Sequence, residues 1–570
     1  MTDSIPVVPD AAERVLGQAR AWLAQDPDTE TQAELRALIE AAEVGSVDAL
    51  DELHARFDLR LAFGTAGLRG EIAAGSNRMN RVLVSQAAAG IAAYLLAHAT
   101  IGTVPTVVIG YDGRKNSQIF AEDSAEILSG AGVRAILLPR LLPTPVLAFA
   151  VRHLDASAGI MVTASHNPPN DNGYKVYLGG RDRGSQIVSP ADVEIAEEIL
   201  LVASGGSVRD LPRGAFEIAS EAIVDAYVEA TAAVAAPVRA QVDTVYTAMH
   251  GVGWETFAAV LGRAGFDVPH TVDAQLHPDA AFPTVSFPNP EEPGAMDLAF
   301  AEARAKGAEL VIANDPDADR LAVAIPDESA VDGYRRLSGN EVGMLLGWRA
   351  AELADTGRTP VEGTLACSIV SSPALGAIAR HYGLDSSNTL TGFKWISRAP
   401  GIIFGFEEAL GYLVNPETVR DKDGISAALA FLSLVSELKA DGLTLDDHLT
   451  RFTEMFGAYA STQISIRVTD LSDIAAVMKR LRDEPPSEIG GIRVDRIDDL
   501  ADGFGSLPPS DVLRIWLTDG SRVMVRPSGT EPKLKVYIDT QSDEGTVAER
   551  TATAAASLEA LDAGMRELVA

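Results

Sequence analysis

Three stretches of this chain repeat one rhythm, in which short apolar runs alternate with amphipathic helical patterns. The first holds Val104–Asp112, a helical pattern from Ser117 to about Gly130, Val133–Leu138, and a helix opening near Thr144-Pro145. It ends on the run Gly159-Ile-Met-Val162, which leads toward Ser165. The second has Val242–Ala248, helices near 253–264 and 294–306, and Ala308–Ala313. The third has a helix near 340–354, Leu365–Val370, a helix near 373–382, Gly401–Phe404, and a long helix near 424–439. Apolar runs of strand length alternating with helices predict mainly parallel α/β sheets. From about Ser461 the order changes to strand Gln463–Val468, a helix, strands at Val512–Trp516 and Leu534–Ile538, and an Ala-rich helix from about 545. The predicted fold is therefore three similar mixed α/β domains plus a C-terminal α+β domain, divided at 1–215, 216–335, 336–458 and 459–570. A chain of 570 residues is long enough for several cores.

Loops after the apolar runs carry the chemistry. Thr163-Ala-Ser165-His-Asn-Pro-Pro169 puts a small hydroxyl after a buried strand and stiffens the next turn with two prolines. Packing gives no reason for that serine; a reactive hydroxyl presented at the mouth of a site would. The turn Asn170-Asp-Asn-Gly173 then brings Lys175 back toward it.

Asn314-Asp-Pro-Asp-Ala-Asp-Arg320 follows the strand Leu310–Ala313. Asp315, Asp317 and Asp319 alternate off a strand end and repel one another unless a cation sits between them. An EF-hand is excluded, because Arg320 stands where that loop needs Gly and Pro326 where it needs Glu. Mg²⁺ held by three aspartates keeps a position open for a phosphate oxygen. In Arg526-Pro-Ser-Gly-Thr-Glu-Pro-Lys533, backbone N–H groups and the Arg526 fork suit an anion, although a strand-connecting turn has the same composition. Thr391-Gly-Phe-Lys394 and Gly405-Phe-Glu-Glu-Ala-Leu-Gly411 place paired carboxylates beside glycines, as fitting for sugar hydroxyls as for a solvated helix start. Phe63-Gly-Thr-Ala-Gly-Leu-Arg-Gly70 is a glycine-rich loop with one arginine, by itself weak.

Composition and absences narrow the chemistry. With 47 basic and 80 acidic residues the net charge is −33, which argues against nucleic acid or a membrane surface as partner. The one cysteine, Cys367, sits in an apolar run and reads as a buried structural thiol. The N-terminus has no signal-peptide pattern, and the apolar stretch 87–97 is too short for a bilayer, so a cytoplasmic location is expected. There is no Walker sequence, no kinase set and no GxSxG elbow around Ser165. A serine, an aspartate triplet and a phosphate cradle together point to phosphoryl transfer through a phosphoserine.

Taken in order, the Gly-rich Arg loop, TASHNP, DPDADR, the sugar loop and RPSGTEP resemble the α-D-phosphohexomutase superfamily of phosphoglucomutases and phosphomannomutases. The FGTAGLRG start and the chain length look most like the phosphoglucomutase-2-type branch. The resemblance covers nearly the whole chain and implies four domains around a central cleft. It implies an isomerase that interconverts sugar 1- and 6-phosphates through a sugar 1,6-bisphosphate, with a phosphopentomutase as the alternative and a Mg²⁺-dependent phosphosugar phosphatase as a further one. By resemblance, Ser165 carries the phosphate, and Mg²⁺ is held by Asp315, Asp317, Asp319 and the phosphoserine. Lys175 does general acid–base work, its pKa lowered by burial near positive charge, and Arg69 is the active-site arginine. Substrate contacts fall to His166, Arg320, Gly392, Lys394, Glu407, Glu408, Arg526, Ser528, Gly529 and Thr530. The sugar loop departs from the family pattern at Ala409, where a serine is usual, and at Gly411 and Tyr412, where some bacterial members carry histidine. The expected partner is a small phosphosugar, bound by a monomer or homodimer.

Overall fold

The apolar runs become strands because both of their faces are covered. The computed structural model describes residues 11–357, 362–468, 471–505, 507–528 and 533–569. These fall into two compact units, the first made of residues up to 237, 243–336 and 415–429, the second of 238–242, 337–414 and 430 onward.

The first unit opens with three helices that the strand–helix rhythm did not anticipate: α1 (Ala11–Gln25), α2 (Thr29–Glu43) and α3 (Val47–Phe57). Val15, Ala19 and Trp22, Leu35 and Ile39, and Leu53 and Phe57 recur at helical spacing and close one core. Asp28 and Ser46 cap α2 and α3 by accepting backbone N–H groups of Glu30 and Ala49.

Next come β1 (Leu68–Glu71), α4 (Arg81–His98), β2 (Thr106–Tyr111), α5 (Ser117–Gly130), β3 (Arg134–Leu137), α6 (Thr144–His153), β4 (Ala158–Val162), β5 (Asp171–Leu178), β6 (Ser185–Gln186), α7 (Ala191–Ser204) and β7 (Glu217–Ile218). The strands order as β1-β5-β4-β2-β3-β7, with β6 on β5. β2 is parallel to β3 and β4, whereas β5 is antiparallel to β1 and β4. Every residue of β4 is buried, as expected for a strand with both faces covered. Ile160 and Val162 meet Leu83, Ala87 and Ile91 of α4 in one core. Asp171 to Gly173, read above as a turn, belong to β5 and pair with Glu71, Gly70 and Arg69. Their turn-like composition serves other contacts: Asn172 Nδ2 donates to the Lys115 carbonyl and the Ser117 hydroxyl.

A second sheet follows, from α8 (Ala222–Ala232), β8 (Thr244–Thr247), α9 (Gly253–Ala264), β9 (His270–Thr271), α10 (Asp297–Lys306), β10 (Leu310–Ala313), β11 (Ala322–Pro326) and β12 (Tyr334–Arg336). Its order is β12-β11-β10-β8-β9, with β10 parallel to β8 and antiparallel to β11.

The second unit holds α11 (Gly339–Asp355), β13 (Thr364–Ser368), α12 (Ala374–Tyr382), β14 (Asp385–Thr389), α13 (Phe393–Ile396), β15 (Ile402–Glu407) and β16 (Gly411–Leu413) in the order β14-β13-β15-β16. β14 is the polar stretch Asp-Ser-Ser-Asn-Thr, an edge strand with no apolar signal to reveal it. After α14 (Gly424–Ala440) and α15 (Leu445–Phe456) the pattern turns antiparallel. β17 (Ala458–Arg467), α16 (Leu471–Asp483), β18 (Glu488–Ile489), β19 (Ile492–Asp499), β20 (Leu513–Leu517), β21 (Arg522–Pro527), β22 (Lys533–Ser542) and α17 (Val547–Val569) order as β17-β22-β21-β20-β19-β18. The architecture is thus three mixed α/β domains and a C-terminal antiparallel α+β domain, as the sequence predicts. Cys367 is buried in β13, its thiol pushed up to about 12 chiefly by burial, which fits a structural role. Among the described residues no helix is long and apolar enough to cross a membrane.

One buried histidine makes stability depend on pH. His448 of α15 stacks on Trp348, ring centroids 4.1 Å apart and 3° from parallel. Burial, then Arg451 and Arg349, pull its imidazole down from 6.5 to about 4. The unfolded chain therefore binds the extra proton between those values, so stability is full above pH ~6.5 and falls as pH drops toward 4. The loss amounts to about 3 kcal/mol at the acid end. His448→Gln is expected to flatten this slope, read as the urea midpoint at pH 7 against pH 5; an unchanged slope refutes the assignment.

Candidate functional site

β4 and β5 form an antiparallel pair, with Met161 opposite Lys175 and Val162 opposite Tyr174. Their connection carries Ser165, whose backbone sits in the left-handed region at φ +53°, uncommon for any residue but glycine. The Ser165 N–H donates to Thr163 Oγ1 at 2.8 Å. The Ser165 hydroxyl donates to Asp315 Oδ2 at 2.8 Å and lies 3.2 Å from His166 Nδ1. Ser165 is only 3% exposed. The expectation of a hydroxyl presented rather than buried is thus corrected: Ser165 is buried and its hydroxyl is turned onto a carboxylate.

That carboxylate heads the Asp loop, which leaves β10. Ala318 takes the left-handed conformation at φ +55° and its N–H returns to the Asp315 carbonyl at 2.8 Å, turning the chain so that the aspartates converge. Asp315, Asp317 and Asp319 are fully buried and offer ligand atoms within 4.8 Å of one another. Gly424 permits a close approach here, since a Cβ on it would lie 2.2 Å from the Arg320 carbonyl oxygen. Oδ1 of Asp317 and Oδ1 of Asp319 are buried and, among the described residues, accept no hydrogen bond. Buried carboxylate oxygens without a donor are costly, and hard oxygen donors in this number suit Mg²⁺, so the residues fit a divalent cation.

The remaining oxygens are spoken for. Lys175 Nζ donates to Asp317 Oδ2 and Asp319 Oδ2, both at 2.7 Å. Thr144 Oγ1 donates to Asp317 Oδ2 at 2.6 Å, and Lys422 Nζ stands 3.2 Å from Asp319 Oδ2. Burial, then Asp317 and Asp319, push Asp315 well above the usual carboxylate range. Asp319 is drawn down despite its burial, by Lys175, Lys422 and Arg320. Burial pulls the Lys175 ammonium down, but Asp317 and Asp319 outweigh it and raise its pKa above the ordinary value. Burial and neighbouring cations alone would lower it, as expected from the sequence; the two aspartates reverse the sign.

Arg69 lies in β1 opposite Gly173 and donates to Asn167 Oδ1 at 3.2 Å. Gly67, at φ +75°, lets that segment sit against β5, where a Cβ would be 1.8 Å from the Tyr174 carbonyl oxygen. Arg320 is half-buried; its N–H donates to Asp315 Oδ1 at 3.0 Å and its guanidinium approaches Glu291 at 3.6 Å. Burial, then Arg320 and Arg69, pull the His166 imidazole well below its ordinary value. Ser165, His166, Lys175, Arg69, Arg320 and the aspartates are thus brought together as expected. Sequence reasoning missed Thr144 and Lys422. The signal for Lys422 was the charged run Arg420-Asp-Lys-Asp-Gly424 directly before a long apolar helix.

In the second unit, Arg526 at the end of β21 donates to Thr391 Oγ1 at 2.7 Å, joining the phosphate-type loop to the Thr391–Lys394 loop. Ser528 N–H donates to the Lys533 carbonyl at 2.8 Å. Gly529 and Thr530 lie outside the described residues. Gly392, at φ +107°, precedes the short helix carrying Lys394. Glu407 ends β15 and is half-exposed. Glu408 Oε2 accepts the hydroxyls of Ser368 at 3.1 Å and Ser371 at 2.9 Å, so part of its hydrogen-bonding capacity goes to its own scaffold.

Four family models match in chain order: phosphoglucomutase/phosphomannomutase alpha/beta/alpha domain I over 60–202, domain II over 225–328, domain III over 338–455, and the C-terminal domain over 464–556. The helices α1 to α3 precede the first of them. A "probable phosphomannomutase" of Haemophilus influenzae is 54% identical over 492 residues, covering 86% of this chain and 98% of its own. The human phosphopentomutase is 34% identical over 91% of this chain and 90% of its own. A Staphylococcus aureus phosphoglucomutase is 33% identical over 85% and 90%. Among solved structures, a phosphoglucomutase/phosphomannomutase family protein of Burkholderia thailandensis superposes with a TM-score of 0.66 at 19% identity, over 89% of this chain and 96% of that one, a likeness of fold. With the serine, the aspartate triad and four matched domains in place, the chain belongs to the α-D-phosphohexomutase superfamily and is a phosphosugar mutase.

Proposed function

We propose that the chain interconverts hexose 1- and 6-phosphates, of glucose or mannose, with Ser165 as the phosphate carrier. The observation that carries this reading is the 2.8 Å contact of the Ser165 hydroxyl with a buried aspartate triad that Lys175 also enters. In the forward half-reaction the bond from phosphorus to Ser165 Oγ breaks and a bond to the free sugar hydroxyl oxygen forms. The sugar hydroxyl gives up a proton and Ser165 Oγ gains one, and Lys175 Nζ exchanges it. The resulting sugar 1,6-bisphosphate then returns its other phosphate to Ser165. Asp315, Asp317 and Asp319 would hold Mg²⁺, which neutralises phosphate oxygens when bound. Arg69 and Arg320 add fixed positive charge for the moving group, and His166 Nδ1, 3.2 Å away, orients Oγ. Arg526 and Ser528 supply donors for a phosphate, Lys394 a donor for sugar oxygens, and Glu407 an acceptor for sugar hydroxyls.

The 54% identity to a protein named as a phosphomannomutase favours hexoses. Ala409 favours a second reading, a pentose phosphate substrate: it removes a hydroxyl from the sugar loop, and the phosphopentomutase likeness spans 91% of the chain. Wild-type enzyme with Mg²⁺ and a priming sugar bisphosphate should be assayed on glucose, mannose, ribose and deoxyribose 1-phosphates. A kcat/KM for a hexose phosphate about tenfold or more above the pentoses is expected. The reverse order selects the pentose reading, and phosphate release without isomerisation overturns both.

A further inference from the structure

Arg114, in the turn after β2, has no part in the roles assigned above, yet its side chain is only 1% exposed. Nη2 donates to the carbonyl oxygens of Ser165 and Asn167, each at 2.6 Å. Nη1 donates to those of Pro168 at 2.8 Å and Asp171 at 3.1 Å. The ring of Phe282 covers the guanidinium at 4.9 Å. Three carbonyls of the β4–β5 connection and the first carbonyl of β5 thus point at one planar cation, an arrangement in which they repel one another unless that cation is present.

Asp112 sets the arginine and the serine together. Its Oδ1 accepts the Arg114 N–H at 3.0 Å and the Ser117 hydroxyl at 2.6 Å. Its Oδ2 accepts the Thr163 hydroxyl at 2.6 Å, and Thr163 Oγ1 in turn receives the Ser165 N–H at 2.8 Å. Both peptide groups flanking Ser165 are therefore fixed, its N–H by Thr163 and its carbonyl by Arg114. Between them lies the residue at φ +53°, a conformation that persists only when its surroundings over-determine it.

We propose that Arg114, seated on Asp112 and aided by Thr163, is a positioning residue that holds Ser165 in its left-handed conformation and thereby aims Oγ for phosphoryl transfer. The inference rests on Ser165 being the phosphate carrier. A lysine keeps the charge but has three donors in a compact head and no planar fork, so it cannot serve four carbonyls at once.

The test uses full-length Arg114→Lys, Arg114→Ala and Thr163→Val. The readouts are the rate at which Ser165 gains phosphate from glucose 1,6-bisphosphate (quenched samples by intact mass), kcat and KM, and the urea midpoint. Arg114→Lys is expected to slow both Ser165 phosphorylation and kcat about 100-fold, the cost of displacing a reacting atom by about 1 Å. KM should stay within about threefold, because ground-state binding is untouched. Added ethylguanidinium should restore part of the kcat of Arg114→Ala. Phosphorylation within about threefold of wild type in Arg114→Lys, or a loss wholly explained by the unfolded fraction, overturns the role. If the Arg114 variants do not fold, Thr163→Val decides. It removes one hydroxyl and should slow phosphorylation about tenfold at unchanged KM; a wild-type rate overturns the proposal. A wild-type chain that never gains phosphate on Ser165 refutes the carrier reading and this role with it. A phosphorylated wild type beside an equally fast Arg114→Lys refutes the positioning role alone.

Discussion

Ser165→Ala is expected to lower kcat by about 10⁴-fold or more, the scale seen when a covalent nucleophile is removed. The β4–β5 connection delivers this hydroxyl to the aspartate triad, 2.8 Å from Asp315. Alanine leaves no oxygen there to take the phosphoryl group. Folding should survive, because alanine keeps the backbone N–H that bonds Thr163 and the carbonyl that bonds Arg114. Wild-type protein incubated with a sugar bisphosphate should gain about 80 Da, one phosphoryl group, and the variant should not. An alanine variant that isomerises sugar phosphates within tenfold of wild type would sink the assignment (tenfold being about 1.4 kcal/mol of barrier).

The second large effect is expected at Asp317. Asp317→Asn keeps the side chain's size and the acceptor for Thr144, but removes a charge facing Lys175 and a buried oxygen that no donor among the described residues satisfies. A fall in kcat of about 10³-fold is expected, the several kcal/mol that a cation at a phosphoryl group supplies. Chelating wild-type enzyme with EDTA should cause a comparable fall that added Mg²⁺ reverses, whereas the variant should stay slow at the same Mg²⁺ concentration. Full activity of the wild type after exhaustive chelation would show that the triad serves no cation in turnover.

How much of this could be read from the amino acids depends on what each position answers to. β4 announces itself because its neighbours cover both faces, so Ala158 to Val162 are uniformly apolar. Helices α5, α9 and α12 were equally legible, since one face of each must be buried. β14 was not, because an edge strand made of Asp, Ser, Asn and Thr buries little. Helices α1 to α3 lie outside the strand–helix rhythm, although Trp22, Leu35 and Phe57 carry helical spacing and share one core. At the site, motif residues could be named individually, but the sign of the Lys175 shift could not. That sign depends on two aspartates more than a hundred residues away in sequence. Arg114 was invisible for a related reason: its partners are carbonyl oxygens, and every residue has one.

The backbone at Ser165 also decides which hydroxyl amino acid can stand there. Threonine offers the same oxygen and, as a free amino acid, carries phosphate as readily. Its branched Cβ, however, crowds the backbone at φ +53°, adding to the roughly 1–2 kcal/mol that a left-handed residue already costs. The loop thus selects serine over threonine by stereochemistry rather than by reactivity, and a change that leaves the chemistry of the carrier intact is closed to it by the turn.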